Sequence, residues 1–366
     1  MSAPSYYDVA IAGAGVLGAS IAVHMARKGA RVVVLDGPVA DDGSGTGTTP
    51  RSFGLVWVQS KEPGVYLALS MASADLYPDY LTLIGDDCEY VRPGGMLWAE
   101  TSADLARLAG LMQQQRQTIG FVADVLSGDQ ARQREPGLSP HLAGATWCPL
   151  DGHLNPRILW RAGRAAATRW GADVRERAPV ERLIQTSSGY QIVAGAHTIL
   201  AAKVVVAAGL WTPQLTAQLG AAVPVETVLG QIVATEIAPF RVNHPTPDFR
   251  QDAAGRLWIG TTHERGRRDL GASEQTTATL RRRMAMLYPA TKDLATEEVW
   301  AGIRPMPPDG HPILGRLPGQ EHAYVAVTHS GITLAPVIGR AMADLVLYGR
   351  TDPLIVPFGT ERFTSR

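Results

Sequence analysis

Three glycines at fixed spacing, in Gly13-Ala14-Gly15-Val16-Leu17-Gly18, constrain this chain more than any other feature. They follow the apolar run 7–12, which reads as a strand buried on both faces. A helical stretch to Arg27 or Lys28 comes next, with Gly29 placed to close it. A second run, Arg31-Val32-Val33-Val34-Leu35-Asp36, ends in a carboxylate. Together they predict a βαβ unit of about thirty residues that binds a dinucleotide. Gly13 permits the tight turn, Gly15 lets backbone approach a pyrophosphate, and Gly18 lets the helix lie close on the strand. The helix N-terminus, at Val16 and Leu17, offers free N–H groups to phosphate. Asp36 stands where a carboxylate can take both ribose hydroxyls of an adenosine, and it disfavours a 2′-phosphate.

Segment 9–26 is apolar enough for a membrane span by length, but its glycines and His24 argue against one. The start has no basic region of the kind that opens a secretory signal, so the expected location is the cytoplasm. Lys+Arg and Asp+Glu balance at 34 each, which gives no general reason to bind nucleic acid. The Arg265–Arg268 and Arg281–Arg283 clusters lie among Glu264, Asp269 and Glu274 and read as a solvated face. The two cysteines, Cys88 and Cys148, cannot make an iron–sulfur or four-cysteine zinc site, and no metal site is expected. The 366 residues suggest two domains.

The first unit fits FAD or NAD, so the rest of the chain must choose. A nicotinamide dehydrogenase would continue with further βα units. Here a Gly/Ser/Thr-rich loop follows (37–59), suited to close backbone approach to a flat ring. Much later, 202–211 reads as a buried parallel strand ending in the small residues Ala207-Ala208-Gly209. Near the C-terminus, 324–336 repeats the order strand, glycine turn, helix N-terminus. That helix would stabilise negative charge on a reduced flavin. Three distant segments converging on one long cofactor is the plan expected for FAD.

These residues resemble the D-amino-acid oxidase/glycine oxidase/sarcosine oxidase family. GAGVLG with Asp36, DGHLNPRILWRAGRAAATRWGA (151–172), VVVAAGLWTP (204–213), WAGIRPMPPDGHPILG (300–315) and THSGITLAP (328–336) carry the likeness in order. FGLVWVQSK (53–61) and HSGITLAP look most like the flavin subunits of opine oxidases and hydrogen cyanide synthase. The resemblance implies an α/β fold. A Rossmann-like, doubly wound, mainly parallel FAD domain (1–85, 150–226, 298–366) would interleave with a smaller α+β substrate domain (86–149, 227–297) carrying a mixed or antiparallel sheet. It implies FAD contacts from Gly13, Gly15, Gly18 and Asp36, from Arg51-Ser52-Phe53-Gly54-Leu55 beside the ring, and from Val180, Ala208 and Gly209. Ser330-Gly331-Ile332-Thr333-Leu334 would meet the ring's pyrimidine edge. Asp36 replaces the commoner Glu. Some members bond the flavin through a cysteine near the GIRP motif; no Cys follows Cys148, so a non-covalent flavin is expected.

The implied reaction oxidises a C–N bond beside a carboxylate: a hydride equivalent passes to flavin N5, and water splits the resulting imine. The protein must hold the Cα–H over the ring, keep the amine neutral and bind the carboxylate. A guanidinium fork binds both carboxylate oxygens in one plane. Arg304, in Gly302-Ile303-Arg304-Pro305, holds the family's clamp position; pairing with Asp309 is the alternative. His263 either borders the substrate or sits in a solvated loop, and His329 either touches flavin or substrate or is structural. Trp57 and Gln59 either line the pocket or pack the core. The substrate would be an amino acid, imino acid or opine-like N-substituted amino acid, with electrons passing to O2 or to partner subunits. An NAD-dependent dehydrogenase and a non-catalytic FAD-holding subunit are the competing functions.

Overall fold

The computed structural model describes residues 6–37 and 47–363. The first part of the Gly/Ser/Thr-rich loop, 38–46, lies outside the described residues. The segment that could have spanned a membrane divides into strand β1 (Tyr6–Ala12) and helix α1 (Val16–Arg27). Gly29, at φ +86°, ends the helix as expected. Strand β2 (Val32–Leu35) pairs in parallel with β1, Val9 facing Val32 through Ala12 facing Leu35. All four β2 residues are buried, as a strand covered on both faces requires.

On its other side β1 pairs in parallel with His197–Val206, which pairs in parallel with Ala323–Val327. This mainly parallel sheet runs 313–316, 323–327, 197–206, β1, β2, 173–175. An antiparallel hairpin, 180–186 with 189–194, extends from 197–206. One face of the sheet is covered by α1 and the helices Val65–Ile84, Pro156–Arg169 and Gly331–Tyr348. The helix Gly331–Tyr348 is long and apolar enough to cross a membrane, but 72 % of its apolar window is buried inside the protein. Small residues bring it against α1: Ser20 Oγ donates to the Ala335 carbonyl at 2.8 Å, and a Cβ on Gly339 would lie 2.0 Å from Ser20 Oγ.

A second, five-stranded sheet is antiparallel throughout. Its central strand Glu226–Ile237 pairs with Arg256–Gly260, Glu264–Arg265 and Thr296–Met306, and Phe249–Gln251 completes it. The strands Arg256–Gly260 and Glu264–Arg265 are separated by 261–263, which leaves His263 in a turn. A three-stranded sheet (95–99, 124–127, 144–148) is backed by the helix Ser102–Gln115. Its inward residues Leu108, Met112 and Gln115 are buried. The arginine clusters are paired locally: Arg267 with Glu264 and Asp269, Arg265 with Glu226, Arg283 with Glu100 and Asp248.

Candidate active site

A cleft of roughly 670 Å³ opens at the carboxyl ends of the parallel strands, where open α/β sheets place their ligands. Gly13, Gly15, Val16 and Leu17 line it, with Asp36 at the tip of β2. Gly13 has φ +104°, and a Cβ there would lie 2.5 Å from the Ala207 carbonyl. Gly18 does not line the cleft. It lies under the turn, where a Cβ would stand 1.9 Å from the Gly13 carbonyl. Its task is helix-to-strand packing, as the sequence predicts. Gly15 caps α1 without a side chain, and the Val16 N–H is held by Thr49 Oγ1 at 3.0 Å. Asp36 Oδ2 accepts from Arg164 Nη1 at 2.5 Å. Arg164 is 5 % exposed and also pairs with Glu176 at 2.7 Å.

The cleft continues past Val180, Ala208 and Gly209 to Thr328, His329, Gly331 and Ile332. Ser52, Trp211 and Pro305 line it as well. The other loop residues have different surroundings. Phe53 is buried with Ile232, Ala234, Trp258 and Trp300. Its carbonyl accepts from Arg250 Nε at 2.6 Å, while the Arg250 guanidinium stacks 3.9 Å from the Trp258 ring centre. Gly54, at φ +81°, packs on the Leu154 carbonyl, and Leu55 pairs with His153. Thr333 Oγ1 accepts from the Trp57 N–H at 3.0 Å, and Leu334 is fully buried. Trp57 and Gln59 are buried too. Gln59 bonds the Gly95 carbonyl, Asp151 and Thr146, so it organises the loop. These residues shape the wall behind the cleft rather than its surface.

Arg304 stands on the strand Thr296–Met306, next to the cleft residue Pro305. Its Nη1 donates to the Thr262 carbonyl at 3.0 Å, and among the described residues no carboxylate pairs with it. The expected rival partner, Asp309, pairs instead with Arg362 at 3.0 Å. Burial pulls the Arg304 guanidinium down to about 10. Register explains how it fits. Gly230 faces Gly302 across the ladder, and a Cβ on Gly230 would stand 2.6 Å from the Arg304 guanidinium. A Cβ on Gly302 would in turn meet the Arg51 carbonyl at 3.0 Å. That carbonyl accepts from Trp300 Nε1 at 3.1 Å, and Arg51 Nε is buried with no described partner.

His263 is exposed in the turn after Gly260, and desolvation, then Arg304, then Arg265 lower its pKa. His329 falls to about 3, through burial and then through Lys61, Arg304, His263 and His311. Of the neighbours acting on His329, Lys61 and Arg304 are permanent cations. The region is a neutral-histidine, positive-field environment that suits a carboxylate and disfavours a protonated amine.

The comparisons agree with this geometry. The family model described as FAD dependent oxidoreductase, DAO, matches residues 8–345. This chain belongs to the DAO family. It is 31 % identical over 98 % of both chains to one of the subunits of opine oxidase from Agrobacterium tumefaciens (strain Ach5). It is also 31 % identical to glycine oxidase of Geobacillus kaustophilus (strain HTA426), again over 98 % of each chain. The crystal structure of glycine oxidase from G. kaustophilus superposes with a TM-score of 0.90 at 30 % identity, covering 97 % of this chain and 98 % of that one. DAO membership makes the chain an enzyme that uses FAD, and the nicotinamide alternative is set aside. The residues present fit that group: backbone glycines whose Cβ positions are blocked, a carboxylate at the second strand's tip, and a cleft of sufficient length.

Sequence reasoning passed over Thr49, Arg164, Arg250 and Lys61. Arg164 stands in the quoted motif 151–172, but nothing in its spacing shows that it reaches Asp36. Lys61 closes the quoted motif 53–61, but nothing in its sequence context shows that it is only 9 % exposed.

Proposed function

We propose that Arg304 binds the carboxylate of an amino, imino or N-substituted amino acid, with His263 and His329 bordering the reacting carbon and nitrogen. The reaction is oxidation of the substrate's C–N bond to an imine, which water then hydrolyses. Bound FAD supplies the acceptor for the two electrons. Gly13, Gly15, Val16, Leu17, Asp36 and Val180 hold its adenosine and pyrophosphate. Ser52, Ala208, Gly209, His329, Gly331 and Ile332 border its ring. Arg51, Phe53, Gly54, Leu55, Ser330, Thr333 and Leu334 support that wall from behind. The proposed division is an FAD domain (1–85, 150–226, 298–366) and a substrate domain (86–149, 227–297), and the strand Thr296–Met306, which pairs with Glu226–Ile237, straddles the boundary between them.

The observation that carries this reading is the partly buried Arg304, whose one described polar partner is a neutral carbonyl. A partly desolvated guanidinium without a counter-charge is costly, and a ligand carboxylate offsets that cost. Arg304 thereby sets where the substrate's α-carbon lies, and the neutral histidines leave the amine unprotonated and able to lose its α-hydrogen. The test is anaerobic bleaching of the visible flavin band by a panel of glycine, proline derivatives and opines. A flavin that none of them reduces counts against the reading.

The opine oxidase relatives are by their names single subunits of larger assemblies. The electron acceptor of this chain is accordingly a partner subunit. Little peroxide from the isolated, FAD-loaded chain turning over substrate is the expected result; stoichiometric peroxide overturns it.

A further inference from the structure

A buried cation stands behind the ring end of the cleft, and the chemistry above does not use it. The Lys61 Nζ donates to Ser330 Oγ at 2.6 Å and lies 5.2 Å from the Tyr66 ring centre. Tyr66 also donates to Ser330 Oγ, at 3.1 Å. The third neighbour of that oxygen is His329 Nε2, at 3.1 Å. Among the described residues no carboxylate pairs with Lys61; the adjacent Glu62 faces His311 at 2.8 Å. The Lys61 backbone is fixed as well, since its carbonyl accepts from Gln115 Nε2 at 2.6 Å.

A hydroxyl has one proton to give and two lone pairs. An ammonium can only donate, so Lys61 takes one lone pair of Ser330 Oγ, and the other lone pair and the proton are shared between Tyr66 and His329 Nε2. His329 itself lines the cleft, so the Lys61–Ser330 contact reaches the cleft through its ring.

We propose that Lys61, through Ser330, holds the His329 ring in place against an acceptor oxygen bound at the ring end of the cleft. Lys61 is a positioning residue, and its charge reinforces the same oxygen. The acceptor belongs either to the ring of the cofactor or to the substrate carboxylate. Both sources offer an oxygen that is negatively charged in the reacting complex. The inference rests on the FAD-enzyme reading above.

The test uses the full chain loaded with FAD, with Lys61→Met, Lys61→Arg and His329→Ala as variants. Two readouts are taken: the midpoint potential of the bound flavin, and the Kd for propionate from the perturbed visible band. If the ring is the acceptor, Lys61→Met shifts the reduced-to-oxidised ratio at fixed potential about tenfold toward oxidised, some 30 mV for a two-electron couple. If the substrate carboxylate is the acceptor, the propionate Kd rises about tenfold instead. In either case Lys61→Arg recovers most of the loss, and Lys61→Met adds little in the His329→Ala background. Both readouts within threefold of the parent overturn the proposal, as does an undiminished effect of Lys61→Met without His329. Should Met prevent folding, Lys61→Gln removes the charge while keeping a donor for Ser330, and the same outcomes decide. A parent chain that retains no FAD overturns the cofactor reading and this inference together. A flavin-loaded parent with unresponsive variants overturns this inference alone.

Discussion

The two ends of the cleft are built on different principles. At the adenosine end, Gly13, Gly15, Gly18 and Asp36 come from one continuous βαβ unit, and neighbouring backbone sets their geometry. At the ring end, Arg304, His263, His329 and Lys61 come from four separated segments and meet only when the antiparallel sheet docks against the parallel one. A local end tolerates little change in backbone space. An assembled end has flexible side chains that can move, so damage there reaches substrate handling before it reaches folding.

That contrast can be broken from either side. The largest effect is expected from Gly18→Val. Its Cβ would press on the Gly13 carbonyl, a backbone atom that cannot yield without opening the turn. The variant should lose nearly all bound FAD, read as the ratio of flavin-band to protein-band absorbance after desalting. Retained flavin would show that the adenosine end is softer than its geometry implies. Next comes Arg304→Leu. Removing one partner of a desolvated charge pair costs about 2–5 kcal/mol, so kcat/KM should fall about 30-fold or more. FAD content should stay near the parent's; unchanged kinetics would move the carboxylate clamp to another residue.

Gly230→Ala sharpens the comparison, because the added methyl would meet only the far end of Arg304. Here kcat/KM should fall about tenfold with less than about 1 kcal/mol lost in stability, the range of a mild steric change. A collapse of the melting temperature without a kinetic change would mean that the ring end is as rigid as the other.

The smallest effect concerns pH. Burial holds His24 down at about 4 and His153 and His329 at about 3. Between those values and 6.5 the folded chain binds fewer protons than the unfolded one. The stability they permit is therefore complete above about 6.5 and is lost as pH falls below it. Asp151, pushed up to about 7 by burial, acts with the opposite sign: it favours the folded state at acid pH and loses that contribution as pH rises from about 4 to 7. Three histidines against one carboxylate predict a melting temperature several degrees lower at about pH 5 than at about pH 7.5. His153→Gln should narrow that gap; a wider one would reverse the assignment.

The residues read in advance divide along the same line. The dinucleotide unit was legible because each glycine answers to a neighbour within a few residues, and the 3.6-residue and continuous apolar patterns place it on known elements. The stretch 53–55 was legible as a loop near the ring but not as the back of its wall. That distinction depends on Arg250, almost two hundred residues away, stacking on Trp258 and holding the Phe53 carbonyl. Likewise Gly230 and Gly302 look like unremarkable strand glycines until the register sets them opposite each other beneath two arginines.

Sequence alone determined the parallel core, the phosphate-binding turn, the acid at the second strand's tip and the arginine of the Gly-Ile-Arg-Pro segment. These follow from short-range sterics and from residue types whose chemistry does not depend on distant partners. Tertiary structure decided that Arg304 meets no carboxylate among the described residues, that Arg164 engages Asp36, and that Lys61 is buried against Ser330 and beside His329. Burial and pairing are properties of packed surfaces, and whether a charge meets a counter-charge is settled only when segments far apart in the chain come into contact.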